Sequence, residues 1–281
     1  MTIVLLSLAL ATSATFLVLY LLKLDDALAR IDEQNREIEN QRELIEKKET
    51  FGAAMESLMG TVAEFEGVLL PSVVSYDELK VLAVRGWAKR WDSEAVARAT
   101  IAVDDANERL TIVLATAAAA ASTNSTGSTF ESVIDTLGGG HVATVLDDAD
   151  AFCGGDVLAC VSSTDPQTVH FDLADNSLPY MTDWMRTGIA YHEFAHVLQF
   201  TNPEPTEVAL TAFDGDVETM ADCYALTYLD GWSLDHRVWV SRYQWWDVSL
   251  GYGRTCDATQ RQAVIDWYDD LGVEVRAVSQ D

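Results

Sequence analysis

The chain has 281 residues, of which 45 are acidic and 18 basic for a formal charge of −27, and 49% are hydrophobic. That length leaves room for one catalytic domain and an extension, and the apolar content excludes a disordered chain. The acidic excess, with no basic patch, argues against nucleic acid as a partner.

Residues 1–23 read as a transmembrane anchor, because Ile3 to Leu22 is an uncharged run of 20 residues, the length a bilayer-spanning helix needs. Ala11-Thr12-Ser13-Ala14 resembles a signal-peptide cleavage site, but the run stays apolar from Phe16 to Leu22 and no lysine or arginine precedes it. An uncleaved, single-pass membrane protein is therefore expected. Residues 24–50 come next as a helical stalk or coiled coil. Leu24, Leu28, Ile31, Asn35, Ile38, Arg42 and Ile45 recur in alternating steps of four and three, the spacing of a heptad seam. Asn35 in such a seam would set the register of a homodimer through residues 24–50, while Arg42 weakens the pattern; a single solvated helix is the alternative. A helix of this span rises roughly 40 Å and would hold the rest of the chain clear of a membrane.

Residues 53–281 read as one α+β domain. The segment 53–121 is helical, with Asp92-Ser93 as a start signal, and Ser122 to Gly127 is a loop. Ser128-x-x-Glu131 has the form of a capping box for a short helix ending at Gly138. Strands are expected near 141–146 and 168–172, and a helix over about 181–200 that Asn202-Pro203 ends.

That last helix carries His192-Glu193-Phe194-Ala195-His196. H-E-x-x-H on a helix sets two imidazoles one turn apart, where both reach one Zn²⁺, and leaves the glutamate free to act as base toward a water whose pKa the metal lowers. Such a site needs a third protein ligand. Glu218, 22 residues after His196 in Glu218-Thr219-Met220-Ala221-Asp222-Cys223-Tyr224-Ala225, is the candidate. Asp222 lies at i+4 on the same helix face, suited to accept the second ring N–H of a liganding histidine, with His192 the expected donor.

The pair of motifs H-E-F-A-H-V-L-Q and E-T-M-A-D-C-Y-A resembles the bacterial neutral zinc metallopeptidase family, whose pattern joins H-E-x-G-H-x-x-Q to a later E-x-x-A-D-C. The Glu-x-x-x-Asp element is also similar to that of thermolysin-like gluzincins. The resemblance covers mainly residues 160–226 and implies a zincin-like fold, largely helical with a small sheet. It places His192, His196 and Glu218 on zinc, makes Glu193 the catalytic base and gives Asp222 a supporting role. Ala195 departs from the family's glycine. In zincins an edge strand over the cleft pairs with the substrate backbone, and 167–172 is expected to fill that position.

His141 and His170 read as structural. His236, Tyr243 and Tyr252 compete to stabilise a developing oxyanion, and spacing does not choose among them. Cys153, Cys160, Cys223 and Cys256 allow two disulfides in three pairings. The Gly154-Gly155 loop favours Cys153 with Cys160, leaving Cys223 with Cys256. The even count suggests an oxidising compartment and hence a domain outside the cytoplasm, although Lys23, Arg30 and Arg36 after the apolar run oppose that orientation. No Walker loop, no G-x-S-x-G and no second E-x-x-H for a di-iron bundle is present. The expected function is a membrane-anchored zinc peptidase acting on a protein or peptide. An inactive zincin-fold scaffold assembled through its stalk is the alternative, and the intact Glu193 favours the enzyme.

Overall fold

A computed structural model describes residues 2–65, 67–69, 73–155, 157–252 and 256–273, with side chains from Thr15 onward. Ten helices and five strands run along the described residues in a mixed α+β order. They divide into two compact units, residues 1–57 with 80–104 and residues 58–79 with 105–281.

Helix α1 spans Thr2–Ala63, α2 Tyr76–Ala88 and α3 Ser93–Ser122. In the first unit the chain closes tightly on itself where Gly86 meets Phe51: a Cβ at Gly86 would lie 2.3 Å from the Phe51 ring. Lys47 bridges Glu43 and Glu94, and the Lys48 ammonium sits 4.0 Å over the Trp91 ring. The expected stalk, 24–50, is continuous helix here. Asp92 starts α3 as the sequence suggested, its carboxylate accepting from Ala95 N–H.

The expected membrane anchor is corrected. Among the described residues no helix is long and apolar enough to cross a membrane. Residues 1–14 of the expected 1–23 span lie outside the described side chains. The single-pass placement falls with it.

The second unit is built around one buried helix. Helix α4 (Thr129–Gly138) begins where Ser128 Oγ accepts from Glu131 N–H, and it stops at Gly139 in the left-handed region. Only half of the expected capping box forms: the Glu131 carboxylate turns to the N–H and hydroxyl groups of Ser125 and Thr126 and so fixes the preceding loop. Strand β1 (Ala143–Asp147), helix α5 (Ala149–Cys153), β2 (Ala159–Ser162) and β3 (Asp165–Asp172) come next. The three strands form a sheet in the order β1-β3-β2, with β1 parallel and β2 antiparallel to β3. The segment expected at the sheet edge, 167–172, is thus its centre, bonded on both sides and buried from Val169 to Asp172. Strands β1 and β2 hold the two edges.

After the short α6 (Leu173–Asn176), helix α7 (Asp183–Thr201) packs against β3, β2, α4 and α9 (Val217–Tyr228), with α8 (Pro203–Leu210) between α7 and α9 in the chain. Residues Ala190, Phe194, Ala195, Val197 and Leu198 of α7 are fully buried. One face of α7 is polar, His192, His196 and Gln199 recurring at i, i+4 and i+7, and the apolar residues between them fill the remaining faces, which the neighbouring elements cover. A hairpin, β4 (Asp235–Ser241) with β5 (Gln244–Ser249), and α10 (Ala258–Leu271) complete the unit. Disulfides join Cys153 to Cys160 and Cys223 to Cys256, the preferred pairing.

Phe171 of β3 anchors this core, fully buried with its ring stacked 4.0 Å from that of Phe130 on α4. Phe171→Ala should therefore lower unfolding stability by about 3–5 kcal/mol, measured from the urea midpoint. A loss under about 1 kcal/mol would show that sheet and helix close over the hole.

Candidate metal centre

Helix α7 is fixed at its start by Thr182, whose hydroxyl accepts from Met185 N–H, and at its end by Asn202 and Pro203. Its bounds match the expected 181–200 to within two residues. Between α8 and α9 the chain reverses through Asp214 (φ 55°) and Gly215 (φ 81°), and Asp216 then caps α9 by accepting from Glu218 and Thr219 N–H. The cap places Glu218 in the first turn of α9, facing the middle of α7.

Three ligand atoms meet there. Glu218 Oε2 lies 3.2 Å from His192 Nε2 and 3.1 Å from His196 Nε2, and the two Nε2 atoms are 3.1 Å apart. Each histidine is anchored through its other nitrogen. His192 Nδ1–H donates to Asp222 Oδ1 at 2.8 Å, the partner expected from the sequence. His196 Nδ1–H donates to Gln199 Oε1 at 2.7 Å, while Gln199 Nε2 donates to the Val217 carbonyl. Acceptors at both Nδ1 positions put the protons there and leave both Nε2 lone pairs turned toward each other and toward a carboxylate oxygen. Three such atoms crowd together only around positive charge. Their mutual distances approach the roughly 3.3 Å that tetrahedral ligands at about 2.0–2.1 Å from one ion impose. His192, His196 and Glu218 thus form a group that can hold a metal ion.

The local electrostatics make the same demand for positive charge, which a second proton on His192 would otherwise meet: burial disfavours the charged ring, but its bonds to Asp222 and Glu218 outweigh that and hold its pKa up at about 10. Burial likewise raises the Glu218 carboxyl, yet the two histidines pull it well below the usual carboxylate range. Three acidic side chains around two imidazoles leave excess negative charge, which a cation between the rings would answer.

Glu193, 5% exposed, lines the same cleft as the three ligand residues, and its Oε2 is buried with no hydrogen-bond partner among the described residues. Burial pushes its carboxyl upward against the pull of the two histidines. An isolated buried carboxylate oxygen is costly and calls for a polar ligand opposite it.

The structure also separates the three candidates for an oxyanion donor. Tyr243 is 81% exposed at the hairpin turn, and His236 packs on Trp232 with ring centroids 4.5 Å apart. Tyr252 lines the cleft beside His192 and Glu193, its ring stacked on that of His192, and its backbone N–H donates to Asp222 Oδ2 at 2.9 Å. Burial, with the charges of Glu218 and Glu193, pushes its phenol up to about 12, so it remains a donor. His170 bonds Asp147 and stacks on Phe152, and His141 lies against Phe65; neither belongs to the group of three ligand residues. Gln199 was not assigned a role from the sequence, although it closes the H-E-x-x-H-x-x-Q pattern three residues after His196.

Asp222 therefore serves two partners at once, one oxygen on His192 and the other on Tyr252. Cys223 next to it is bonded to Cys256, which ties the chain beyond Tyr252 to α9. No family model matches the chain, and neither curated proteins nor solved structures show a significant match to it.

Gly251 is what permits this approach. Its φ is +138°, and a Cβ there would fall 2.8 Å from Asp222 Oδ2 and 2.9 Å from the Leu234 side chain. Gly251→Ala should displace Asp222 from His192 and weaken binding of a divalent transition metal by about 10 to 100-fold, read by competition with a chromophoric chelator. Unchanged affinity would show that the Asp222 bridge does not hold the histidine in place.

Proposed function

We propose that this chain is a zinc-dependent peptidase with a zincin-like domain, related to the bacterial neutral zinc metallopeptidases that its two motifs resemble. The observation that carries the reading is the bare Glu193 Oε2 buried beside three mutually facing ligand atoms. A scaffold has no use for a buried carboxylate without a partner, whereas hydrolysis needs a base at that position.

Two imidazole nitrogens and one carboxylate oxygen are the ligand set of a catalytic zinc site. When bound, zinc supplies a Lewis acid that lowers the pKa of water and polarises a carbonyl. The residues divide the remaining work. Glu193 takes the proton from the attacking water and passes it to the departing amine, a shuttle favoured by a carboxyl that burial raises above its ordinary value. Tyr252 donates its O–H to the oxygen of the scissile carbonyl as charge develops there. Asp222 and Gln199 hold the two imidazoles in one tautomer and one orientation throughout.

The substrate lies along β2. That strand is bonded on one side only, and Ala159 to Ser162 line the cleft. An extended peptide adds to its free edge by main-chain hydrogen bonds. Beside Glu193 a cavity of about 280 Å³ is walled by Ile189, Ala225, Trp232, Leu234 and Leu250. It suits a bulky apolar side chain on the residue that supplies the leaving amine. Gly188 keeps that wall in place, since a Cβ there would collide with the Trp232 ring.

Two variants test the reading. Glu193→Gln should keep one equivalent of zinc while cleavage of a denatured protein substrate falls by about 10² to 10⁴-fold; equal cleavage by both forms would sink the peptidase proposal. Glu218→Ala should lose stoichiometric zinc, and a full equivalent retained would remove Glu218 from the ligand set.

A further inference from the structure

The first unit carries a feature that the metal centre does not use. Leu24, Leu28, Ile31, Ile38 and Ile45 on α1 are each 45–55% exposed. At about 100° per residue, with Asn35 and Arg42 between them, they occupy one stripe about 100° wide and roughly 30 Å long. Lys47, on the opposite side of the helix, makes the bridges to Glu43 and Glu94. From Thr15 to Glu43 every described residue is exposed, and at Leu44, Lys47 and Lys48 only the far face is packed, so no element of the unit covers the apolar stripe. Scattered exposed apolar residues need no explanation, but a periodic stripe does.

We propose that a second copy of this chain covers the stripe as a parallel, in-register two-stranded coiled coil. The flanking charges select this occupant and its direction. Taking Leu28, Asn35 and Arg42 as a positions, and Leu24, Ile31, Ile38 and Ile45 as d, every e position over this span is acidic: Asp25, Asp32, Glu39 and Glu46. The matching g positions are Ala27, Gln34, Gln41 and Lys48, none of them acidic. In a parallel pair e faces g, so Gln34 meets the partner's Glu39 and Gln41 the partner's Glu46, amide against carboxylate. In an antiparallel pair e faces e, and two acidic rows oppose each other.

Asn35 gives a second, independent argument. In a parallel pair an a residue packs beside its own counterpart, and two asparagine amides satisfy each other, one donating and one accepting. In an antiparallel pair Asn35 would face an apolar d residue and lose its partner. Arg42 is turned off the seam, its guanidinium 3.1 Å from Glu39 at the edge of the stripe.

Sedimentation of the full chain should give twice its 30.9 kDa mass. Ile31→Asp with Ile38→Asp should weaken association by about 100-fold or more, returning the monomer with unchanged helical circular dichroism and metal content. Direction is read separately. The four native cysteines are disulfide-bonded, so Leu24→Cys introduces a lone thiol, and mild oxidation should cross-link like residues in the dimer. A monomeric full chain, or a dimer that survives the double substitution, overturns the proposal. A dimer that does not cross-link at residue 24 overturns the parallel arrangement.

Discussion

Three electron-rich atoms, His192 Nε2, His196 Nε2 and Glu218 Oε2, are held within 3.2 Å of one another, and much of the second unit is arranged to keep them there. Lone pairs at that distance repel unless a positive charge lies among them. Their approach has to be enforced by the fold before any ion can reward it. Helix α7 contributes by burial, because its apolar faces are locked between the sheet, α4 and α9. Helix α9 contributes through Asp216, whose cap fixes the first turn and hence Glu218.

Around this triad the polar groups form a connected set. Gln199 joins the second histidine to the backbone at the start of α9. Asp222 joins the first to Tyr252, and the Cys223–Cys256 disulfide secures the chain just beyond. Only 3% of the Asp222 side chain is exposed, so its two bonds compensate a desolvated charge. The glycines have a matching purpose: Gly251 lets backbone approach Asp222, and Gly188 lets Trp232 lie across α7 one turn before His192. The same constraints that fix the ligands thereby shape the apolar cavity next to Glu193.

The two units embody different uses of a helix. In α7 Phe194, Val197 and Leu198 are covered by the neighbouring elements of its own unit, while His192, His196 and Gln199 share the remaining face. In α1 Leu24, Leu28, Ile31, Ile38 and Ile45 form a single stripe, which its own unit leaves exposed. The first pattern makes a core; the second makes a seam that needs a partner. The apolar run before Lys23 invited a third reading, a membrane span, but among the described residues no helix is long and apolar enough to cross a membrane.

What the sequence determined by itself was local. The ligand set and base of the proposed site were legible in H-E-x-x-H, since i,i+4 spacing on a helix fixes direction without any tertiary contact. Glu218 and Asp222 were legible as two carboxylates one turn apart, and the caps at Ser128 and Asp92 because capping acts over three residues. The nearer disulfide was legible in a short glycine loop. Tertiary structure decided everything that depends on elements distant in sequence. It put 167–172 at the centre of the sheet and β2 at its edge, because strand order depends on which faces must be buried rather than on the alternation within one strand. The β4–β5 hairpin went unread although its apolar and aromatic residues alternate, and it is what brings Tyr252 to Asp222. The choice among Tyr252, His236 and Tyr243 was likewise closed to sequence reasoning. An oxyanion donor is defined by position in space, and 30 residues of chain separate Asp222 from the group it holds.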